Sequence, residues 1–278
     1  QNMKTNYLYN ENCLDTMAKM PNNFIDLTVT SPPYDNLRTY KGFKFDWKAI
    51  IKELYRVTKE GGVVVWVVGD ATIKGSETGT SFKQALHAID CGFRLHDTMI
   101  YEKHAMKFPE SVRYHQKFEY MFIFSKGKPN NFNPLKQKLT ERSIAEKRRI
   151  INSGKKKIKQ RINDDIKETK HYYKDIEYMN KYNIWKYNNA TSNCGNNDKL
   201  AYKHPAIFPE KLANDHIISW SNENDLVYDC FMGSGTTAKM AIVNNREWIG
   251  SEMSSEYCDI VHERLKQFDD DIFLNDND

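Results

Sequence analysis

The chain has 278 residues, of which 40% are hydrophobic, 28% charged and 13% aromatic, with a net charge of +4 at pH 7. A chain of this length buries a sizeable core, and its aromatic content is too high for a disordered protein. No apolar run approaches the roughly 20 residues that cross a bilayer. The five cysteines show no C-x-x-C spacing, which favours neither a disulfide framework nor a zinc site. We therefore expect a cytoplasmic protein that binds no metal and no membrane.

The first part of the chain predicts strands that alternate with helices. A short strand is predicted at 6–10 and a buried strand at Ile25–Thr30. Asp46 is suited to cap a helix with apolar residues at helical spacing, and Gly61 and Gly62 are expected to end it. Further strands are predicted at 63–68, 93–102 and Phe118–Ser125, and a further helix at 81–89.

From Lys126 to about residue 197 the pattern changes, because Asn, Lys and Tyr dominate and periodicity weakens, as expected of an inserted module. A regular pattern then resumes, with Pro209 predicted at the first position of a helix that ends at Trp220. Strands are predicted at Leu226–Asp229 and 247–252, and helices at 234–243 and 256–267. Strands that alternate with helices on both sides of the insertion predict an α/β fold with a doubly wound, mostly parallel sheet.

The positive charge is concentrated in one segment. Residues 136–174 carry a net charge of +9, so the remainder of the chain carries −5. A basic segment on a mildly acidic body is typical of a protein that contacts a polyanion such as nucleic acid. A solvated lysine-rich helical insertion has the same composition, and charge alone leaves both interpretations open.

A glycine turn follows the predicted strand that ends at Asp229. Residues 229–237 read DCFMGSGTT, which combines a strand end, a G-x-G turn and a helix start. Such a turn presents backbone N–H groups at the mouth of a sheet. Glu252 lies about 20 residues further on, at the tip of the next strand, where a carboxylate can accept both hydroxyls of a ribose. The lysine of a phosphate loop is missing, which favours a nucleoside cofactor without phosphates.

A second stretch, TSPPY at residues 30–34, follows the buried strand at its carboxyl end, where open α/β sheets place their sites. Pro32 and Pro33 supply a stiff backbone with carbonyls and no competing N–H groups. Ser31 offers a hydroxyl and Tyr34 a ring for stacking. These groups suit the exocyclic amino group of a base, whose delocalised lone pair needs acceptors on its N–H groups. A buried turn with ordinary prolines is the alternative.

Together, TSPPY and DCFMGSGTT resemble the amino-group DNA methyltransferases that use S-adenosylmethionine. The order of catalytic loop, basic insertion and cofactor loop is similar to that of the β class of this family. The resemblance implies a Rossmann-like class I methyltransferase whose mostly parallel sheet has a terminal antiparallel strand. It also implies a catalytic half at 3–128, an inserted target-recognition region at 129–202 and a cofactor-binding half at 203–278.

The resemblance further implies roles for individual residues, carried over motif by motif. The target amino group would be received by Ser31 and the Pro32 carbonyl, with Pro33 in the same loop and Tyr34 stacked on the base. Asn12 stands where members of this family usually have Asp. Arg38 is expected to contact the extruded DNA strand, and a surface salt bridge is its alternative role. The residues expected to bind S-adenosylmethionine are Asn12, Asp229, Phe231, Gly233, Ser234, Gly235, Thr236 and Glu252. Those expected to bind DNA are Arg38, Lys155, Lys156, Lys157, Lys159 and Arg161.

The activity implied is site-specific methylation of an exocyclic nitrogen on a base extruded from double-stranded DNA. Serine at position 31 goes mostly with cytosine N4 in this family, so we favour cytosine N4 over adenine N6. An RNA or protein amide methyltransferase and a nucleic-acid-binding module without catalysis are the alternatives. A homodimer and a cognate restriction endonuclease are open as further partners.

Overall fold

The computed structural model describes residues 3–33, 45–103, 112–153, 157–162, 165–170, 175–187 and 209–268. In chain order its strands are β1 (Tyr7–Tyr9), β2 (Ile25–Thr30), β3 (Thr58–Val68), β4 (Thr72–Ile73), β5 (Ser76–Glu77), β6 (Arg94–Lys103), β7 (Phe118–Ser125), β8 (Lys136–Lys138), β9 (Lys157–Ile162), β10 (Asp165–Lys170), β11 (Tyr178–Asn180), β12 (Ile184–Tyr187), β13 (Leu226–Asp229) and β14 (Glu247–Ser251). Its helices are α1 (Cys13–Lys19), α2 (Trp47–Val57), α3 (Thr80–Asp90), α4 (Glu141–Asn152), α5 (Glu210–Trp220), α6 (Thr236–Val243) and α7 (Ser255–Leu265). The chain divides into a larger unit, Gln1–Asn133 with Asn183–Asp278, and a smaller unit, Pro134–Tyr182.

Eight of the described strands form one sheet in the larger unit, in the order β1-β14-β13-β2-β3-β7-β6-β12. All neighbouring pairs in it are parallel except those of β7, which runs antiparallel to β3 and to β6. The residues of β3 from Gly61 to Val68 are all buried, as expected of a strand covered on both faces. The predicted α/β class with a mostly parallel sheet is confirmed.

The position of the antiparallel strand differs from the expectation, because β7 is internal and not terminal. Residues 184–187 form β12, which pairs in parallel with β6 and extends the sheet beyond it. The sequence assigned these residues to the insertion, since they lie in the stretch rich in Asn, Lys and Tyr. Trp185 and Tyr187 of this strand are nevertheless buried, and their burial fixes the strand against the sheet.

A second difference concerns Gly61 and Gly62, which do not end α2. The helix ends at Val57, and β3 begins at once with Thr58, whose backbone is already extended. Gly61 has a φ of +78°, and the side chain of Asn130 occupies the space that a Cβ at this position would take. The glycine therefore admits a close contact at the start of the strand, a role that only a residue without a side chain can fill.

Helices α1, α2 and α3 contribute to one apolar cluster with the sheet. Met17, Leu54 and Ala88, one from each helix, are buried in this cluster with Val64 and Trp66 of β3. On α2 the buried residues recur at helical spacing. The predicted cap is also present, because Oδ1 of Asp46 accepts the N–H of Ala49 at 3.2 Å. The periodicity of the sequence therefore predicts both the helix and the face that it buries.

Two helix starts lie slightly later than predicted. Pro209 is the residue that precedes α5 and not its first helical residue. Helix α6 begins at Thr236, because Gly235 before it takes a left-handed conformation. Within the described ranges, no helix is long and apolar enough to span a membrane.

The smaller unit contains α4 and two antiparallel strand pairs, β8 with β11 and β9 with β10. Of the residues whose burial the structure describes in this unit, Ile144 alone is buried. The unit is shorter than the insertion expected at 129–202, because residues at both ends of that stretch belong to the larger unit. The backbone N–H of Asn133, for example, donates to the carbonyl oxygen of Ser219 on α5 at 2.8 Å.

Candidate active site

The two loops singled out in the sequence leave neighbouring strands at the same edge of the sheet. Strands β2 and β13 are parallel and adjacent, with Thr28 opposite Tyr228. Ser31 directly follows β2, and Cys230 directly follows β13. In open α/β sheets this carboxyl-end edge is where ligands bind. The structure therefore brings together two segments that are about two hundred residues apart in the chain.

A buried hydrogen bond joins these two strand ends. The hydroxyl of Thr30 donates to Oδ1 of Asp229 at 2.6 Å, and the backbone N–H of Phe231 donates to the same oxygen at 3.0 Å. Burial raises the pKa of the Asp229 carboxyl above its usual range, and the hydrogen bonds that it accepts oppose this shift. A buried carboxyl group needs such donors, so Asp229 holds the start of the glycine turn against the end of β2.

The glycine turn has the backbone conformation that its sequence predicts. Gly233 and Gly235 have φ values of +53° and +82°, which side chains disfavour. The N–H of Gly235 donates to the Met232 carbonyl oxygen at 2.9 Å, which closes the turn before α6 begins. A Cβ at Gly235 would lie 2.9 Å from a methyl carbon of Val261, so the turn packs tightly on α7.

Glu252 lies one residue beyond β14 and is held by the same turn. Its Oε2 accepts the N–H of Gly233 and its Oε1 accepts the N–H of Ser254, both at 2.9 Å. Burial raises the pKa of this carboxyl, and the two backbone hydrogen bonds act in the opposite direction. Each carboxylate oxygen offers about two acceptor sites, so a carboxylate fixed in this way can also accept a pair of ribose hydroxyls.

Asn12 and Phe231 lie at the same edge with further structural tasks. Asn12 caps α1, since its side-chain oxygen accepts the N–H of Leu14 at 2.9 Å. The ring of Phe231 is half-buried and meets Phe45 and Trp66 edge to face, with centroids 5.6 and 6.3 Å away. Sequence analysis missed both the cap and the aromatic contacts, although asparagine is among the residues favoured at a helix N-cap.

Behind the turn lies a buried arginine that sequence analysis missed. Arg264 of α7 donates to the Ser234 carbonyl oxygen, and its Nη1 lies 3.2 Å from the Ser234 hydroxyl and 3.4 Å from that of Thr236. Its Nη2 pairs with Glu210 at 3.0 Å, and Lys239 pairs with the same carboxylate oxygen at 2.7 Å. No local signal identifies Arg264, because a charged residue on an amphipathic helix usually faces solvent.

The predicted catalytic loop is described only in part. Pro32 is buried, whereas Ser31 and Pro33 are half-buried at the edge of the sheet. Tyr34 and Arg38 lie outside the described residues, and their predicted roles stay predictions.

The predicted DNA-binding lysines belong to the smaller unit. Lys155 and Lys156 lie outside the described residues. Lys157, Lys159 and Arg161 alternate along β9, which pairs with β10. Helix α4 of the same unit carries three exposed arginines that sequence analysis does not predict to bind DNA, namely Arg142, Arg148 and Arg149.

A mostly parallel sheet with a glycine turn, a half-buried carboxylate and a proline loop at one edge has the class I methyltransferase fold that the motifs imply. A family model, N6_N4_Mtase, described as DNA methylase, matches residues 25–263. The chain is 57% identical over 247 residues to the orphan methyltransferase M.BamHII of Bacillus amyloliquefaciens. The aligned residues cover 88% of this chain and 89% of that protein. It is 25% identical over 281 residues to the type II methyltransferase M.BglII of Bacillus subtilis, covering 94% of this chain and 69% of that protein.

Solved structures share the fold. PvuII DNA methyltransferase (cytosine-N4-specific) matches with a TM-score of 0.67 at 20% identity, covering 100% of this chain and 89% of that chain. The M1.HpyAVI–SAM complex matches with a TM-score of 0.57 at 20% identity, covering 93% of this chain and 98% of that one. The chain therefore belongs to the DNA methylase family, as the resemblance of its motifs implies, and it is a site-specific DNA methyltransferase of the N4/N6 type. S-adenosylmethionine is the cofactor that this family uses.

Proposed function

We propose that the protein methylates the exocyclic N4 of cytosine in double-stranded DNA. The observation that carries this proposal is the position of Ser31, at the head of the S-P-P loop and beside the cofactor loop on the neighbouring strand. A serine hydroxyl at this position accepts a hydrogen bond from an amino group without adding a charge. The PvuII enzyme, which has the same fold, is named as cytosine-N4-specific, and this agrees with the choice.

The residues at the edge of the sheet fit S-adenosylmethionine. Gly233 and Gly235 have positive φ values, which let the backbone turn tightly at the edge of the sheet, and Glu252 has the acceptor sites for the ribose hydroxyls. The start of α6 at Thr236 offers backbone N–H groups to an anionic group. We therefore assign the full cofactor set to Asn12, Asp229, Phe231, Gly233, Ser234, Gly235, Thr236 and Glu252.

The acceptor half of the reaction falls to the S-P-P loop. When bound, S-adenosylmethionine would supply an electrophilic methyl carbon, whose bond to sulfur would break as the amino nitrogen bonds to it, with S-adenosylhomocysteine as the leaving group and one amino proton lost to solvent. Ser31 and the carbonyl oxygen of Pro32 accept hydrogen bonds from the amino group, which localises its lone pair and orients it. Pro33 stiffens the loop, and Tyr34 stacks on the base. Positioning of this kind supplies much of the rate enhancement of an enzyme that needs no covalent intermediate.

The DNA is gripped by the basic segment in this proposal. The base must leave the duplex to reach the edge of the sheet, and its extrusion costs a few kcal/mol that contacts to the backbone offset. Phosphate contacts by cations fix the register of the duplex but carry no sequence information. The DNA-binding set consists of Arg38, Lys155, Lys156, Lys157, Lys159 and Arg161.

Two protein partners are possible in addition to DNA: a cognate restriction endonuclease and a second copy of this chain. M.BamHII is named an orphan methyltransferase and M.BglII a type II methyltransferase, so the comparisons leave a cognate endonuclease open for this chain. A second copy of the chain is the other candidate partner. Light scattering of the purified protein reports the dimer, and cleavage of unmethylated DNA by the host extract reports the endonuclease.

The test is nucleoside analysis of DNA after incubation with purified protein and S-adenosylmethionine. We expect N4-methylcytosine in the hydrolysed product. The matched control is Ser31→Ala, which should lose most transfer while its dissociation constant for S-adenosylmethionine stays near that of the unchanged protein. N6-methyladenine alone would contradict the choice of cytosine. Absence of any methylated base would contradict the proposed activity.

A further inference from the structure

Thr30 is the last residue of β2 and immediately precedes the proposed acceptor Ser31. Its side chain is fully buried. Its hydroxyl donates to Oδ1 of Asp229 at 2.6 Å, and Sγ of Cys230 lies 3.5 Å from the same hydroxyl oxygen. The hydroxyl is thus a donor to the first residue of the cofactor motif and an acceptor from the second, so both neighbours fix its orientation.

A second bond joins the same two parts of the chain. The hydroxyl of Thr237, in the first turn of α6, donates to the carbonyl oxygen of Val29 at 3.2 Å. The end of β2 is therefore attached to the start of the glycine motif at Thr30 and to the helix that follows it at Val29. Of these two bonds, the one at Thr30 is made by a side chain of β2, and it is the one nearer to the proposed acceptor loop.

We propose that Thr30 is a positioning residue that sets the acceptor loop in register with the cofactor loop. This inference rests on the proposed function, because it assumes that Ser31 receives the target amino group. The hydrogen bond of 2.6 Å between the Thr30 hydroxyl and the Asp229 carboxyl is short, so it fixes the two loops more closely than strand pairing alone. A misplacement of about 1 Å at a reacting centre can reduce a rate by about 100-fold.

Thr28 provides a matched control on the same strand. It is the same residue type, it is equally buried, and it lies two positions before Thr30. Its hydroxyl has no hydrogen-bond partner within the part of the chain that the structure describes. Replacing it by valine removes a hydroxyl that bonds to nothing there, a change that is close to neutral. The same replacement at Thr30 breaks the link to Asp229.

The experiment compares Thr30→Val, Thr28→Val and Thr30→Ser in full-length protein, by steady-state kinetics with DNA and by titration with S-adenosylmethionine. We expect Thr30→Val to lower kcat by about 10- to 100-fold with a smaller change in cofactor affinity. Thr28→Val should stay within about twofold of the unchanged protein. Thr30→Ser keeps the hydroxyl and should recover most of kcat, which a loss of packing alone would not allow.

Each outcome supports or overturns the inference. Equal kcat for Thr30→Val and Thr28→Val, with the unchanged protein active, would overturn the role of Thr30 and leave the proposed function intact. Failure of the unchanged protein to methylate DNA would overturn the proposed function, and this inference with it. If Thr30→Val does not fold, Thr30→Cys takes its place under the same thresholds, because a thiol is a weak donor of similar size.

Discussion

The edge of the sheet and the smaller unit use charged side chains in opposite ways. At the edge, Asp229 and Arg264 are 3% and 2% exposed, and both are held by hydrogen bonds. In the smaller unit, the side chains of Arg148 and Glu177 are 61% and 52% exposed and lie 3.8 Å apart. Buried charges are stable only with their partners in place, whereas exposed pairs contribute little to stability. The buried charges at the edge of the sheet therefore hold its loops in place, whereas the exposed charges of the smaller unit are accessible to a binding partner.

The largest expected effect is on Arg264, which donates a hydrogen bond to the backbone of the glycine turn. Arg264→Met leaves the Ser234 carbonyl oxygen and Glu210 without this donor, and it should lower the free energy of unfolding by about 3–5 kcal/mol. Arg148→Met in the smaller unit is the control and should cost about 0–1 kcal/mol. Urea denaturation measures both. Equal costs would contradict the contrast between the two regions.

The next effect is on Gly235, where the backbone itself has to fit. Gly235→Ala places a side chain at a φ of +82°, at a cost of about 1–2 kcal/mol, and presses it against Val261. Gly75, in the turn between β4 and β5, has a φ of +79° and nothing within 4 Å of its Cβ position, so Gly75→Ala is the control. Calorimetric titration should show that S-adenosylmethionine binding weakens by about tenfold, or about 1.4 kcal/mol, only in Gly235→Ala, because a side chain that meets Val261 displaces the turn at the proposed cofactor site. Equal affinities in the two variants would mean that the turn does not contact the cofactor.

A smaller effect is expected from pH, through the raised pKa of Glu252. The ionised carboxylate accepts hydrogen bonds better than the protonated acid. Affinity for S-adenosylmethionine should therefore be highest at neutral pH and fall as the pH is lowered through a pKa above the ordinary 4.5. Glu252→Gln should bind more weakly at neutral pH and show a flatter profile over the same range. A Glu252→Gln profile as steep as that of the unchanged protein would assign the titration to another group.

The smallest effect on stability is expected from basic residues on β9 of the smaller unit. The triple change Lys157→Gln, Lys159→Gln and Arg161→Gln should leave the free energy of unfolding within about 0.5 kcal/mol of that of the unchanged protein, because glutamine removes the charge and keeps a long polar side chain. DNA affinity should fall, and the slope of its logarithm against that of salt concentration should decrease by about 0.9 for each phosphate that the variant no longer neutralises. The control with the same change of charge replaces three exposed lysines on α2 and α3 of the larger unit by glutamine, namely Lys48, Lys52 and Lys83. An equal fall in affinity in both triple variants would indicate a general effect of net charge.

Local pattern was sufficient for the parts of the fold that carry the motifs. Strands β2 and β13 have the predicted bounds. In each case a short apolar run between turn residues specifies both ends of the strand. The glycine turn and its helix follow from residues that are close in the chain. The position of Glu252 also follows, since it comes directly after β14, which pairs with β13.

The features that sequence missed depend on partners far away in the chain. Strand β12 is only four residues long, and its burial comes from the sheet that it joins. Arg264 is buried because Glu210 and the Ser234 carbonyl oxygen compensate its charge, and neither lies near it in sequence. The bond from Thr30 to Asp229 spans 199 positions. Pattern gives the type of each element, whereas such contacts exist only once the sheet has formed.

The most direct test of the whole account is a crystal structure with a cofactor analogue and a duplex that contains the target sequence. The account predicts an extruded cytosine whose amino nitrogen lies within hydrogen-bonding distance of the Ser31 hydroxyl. The same nitrogen should lie about 3–3.5 Å from the position of the transferred methyl carbon, as a reactive arrangement requires. A cofactor bound at Gly233 and Glu252 with the base held on another face of the molecule would contradict it.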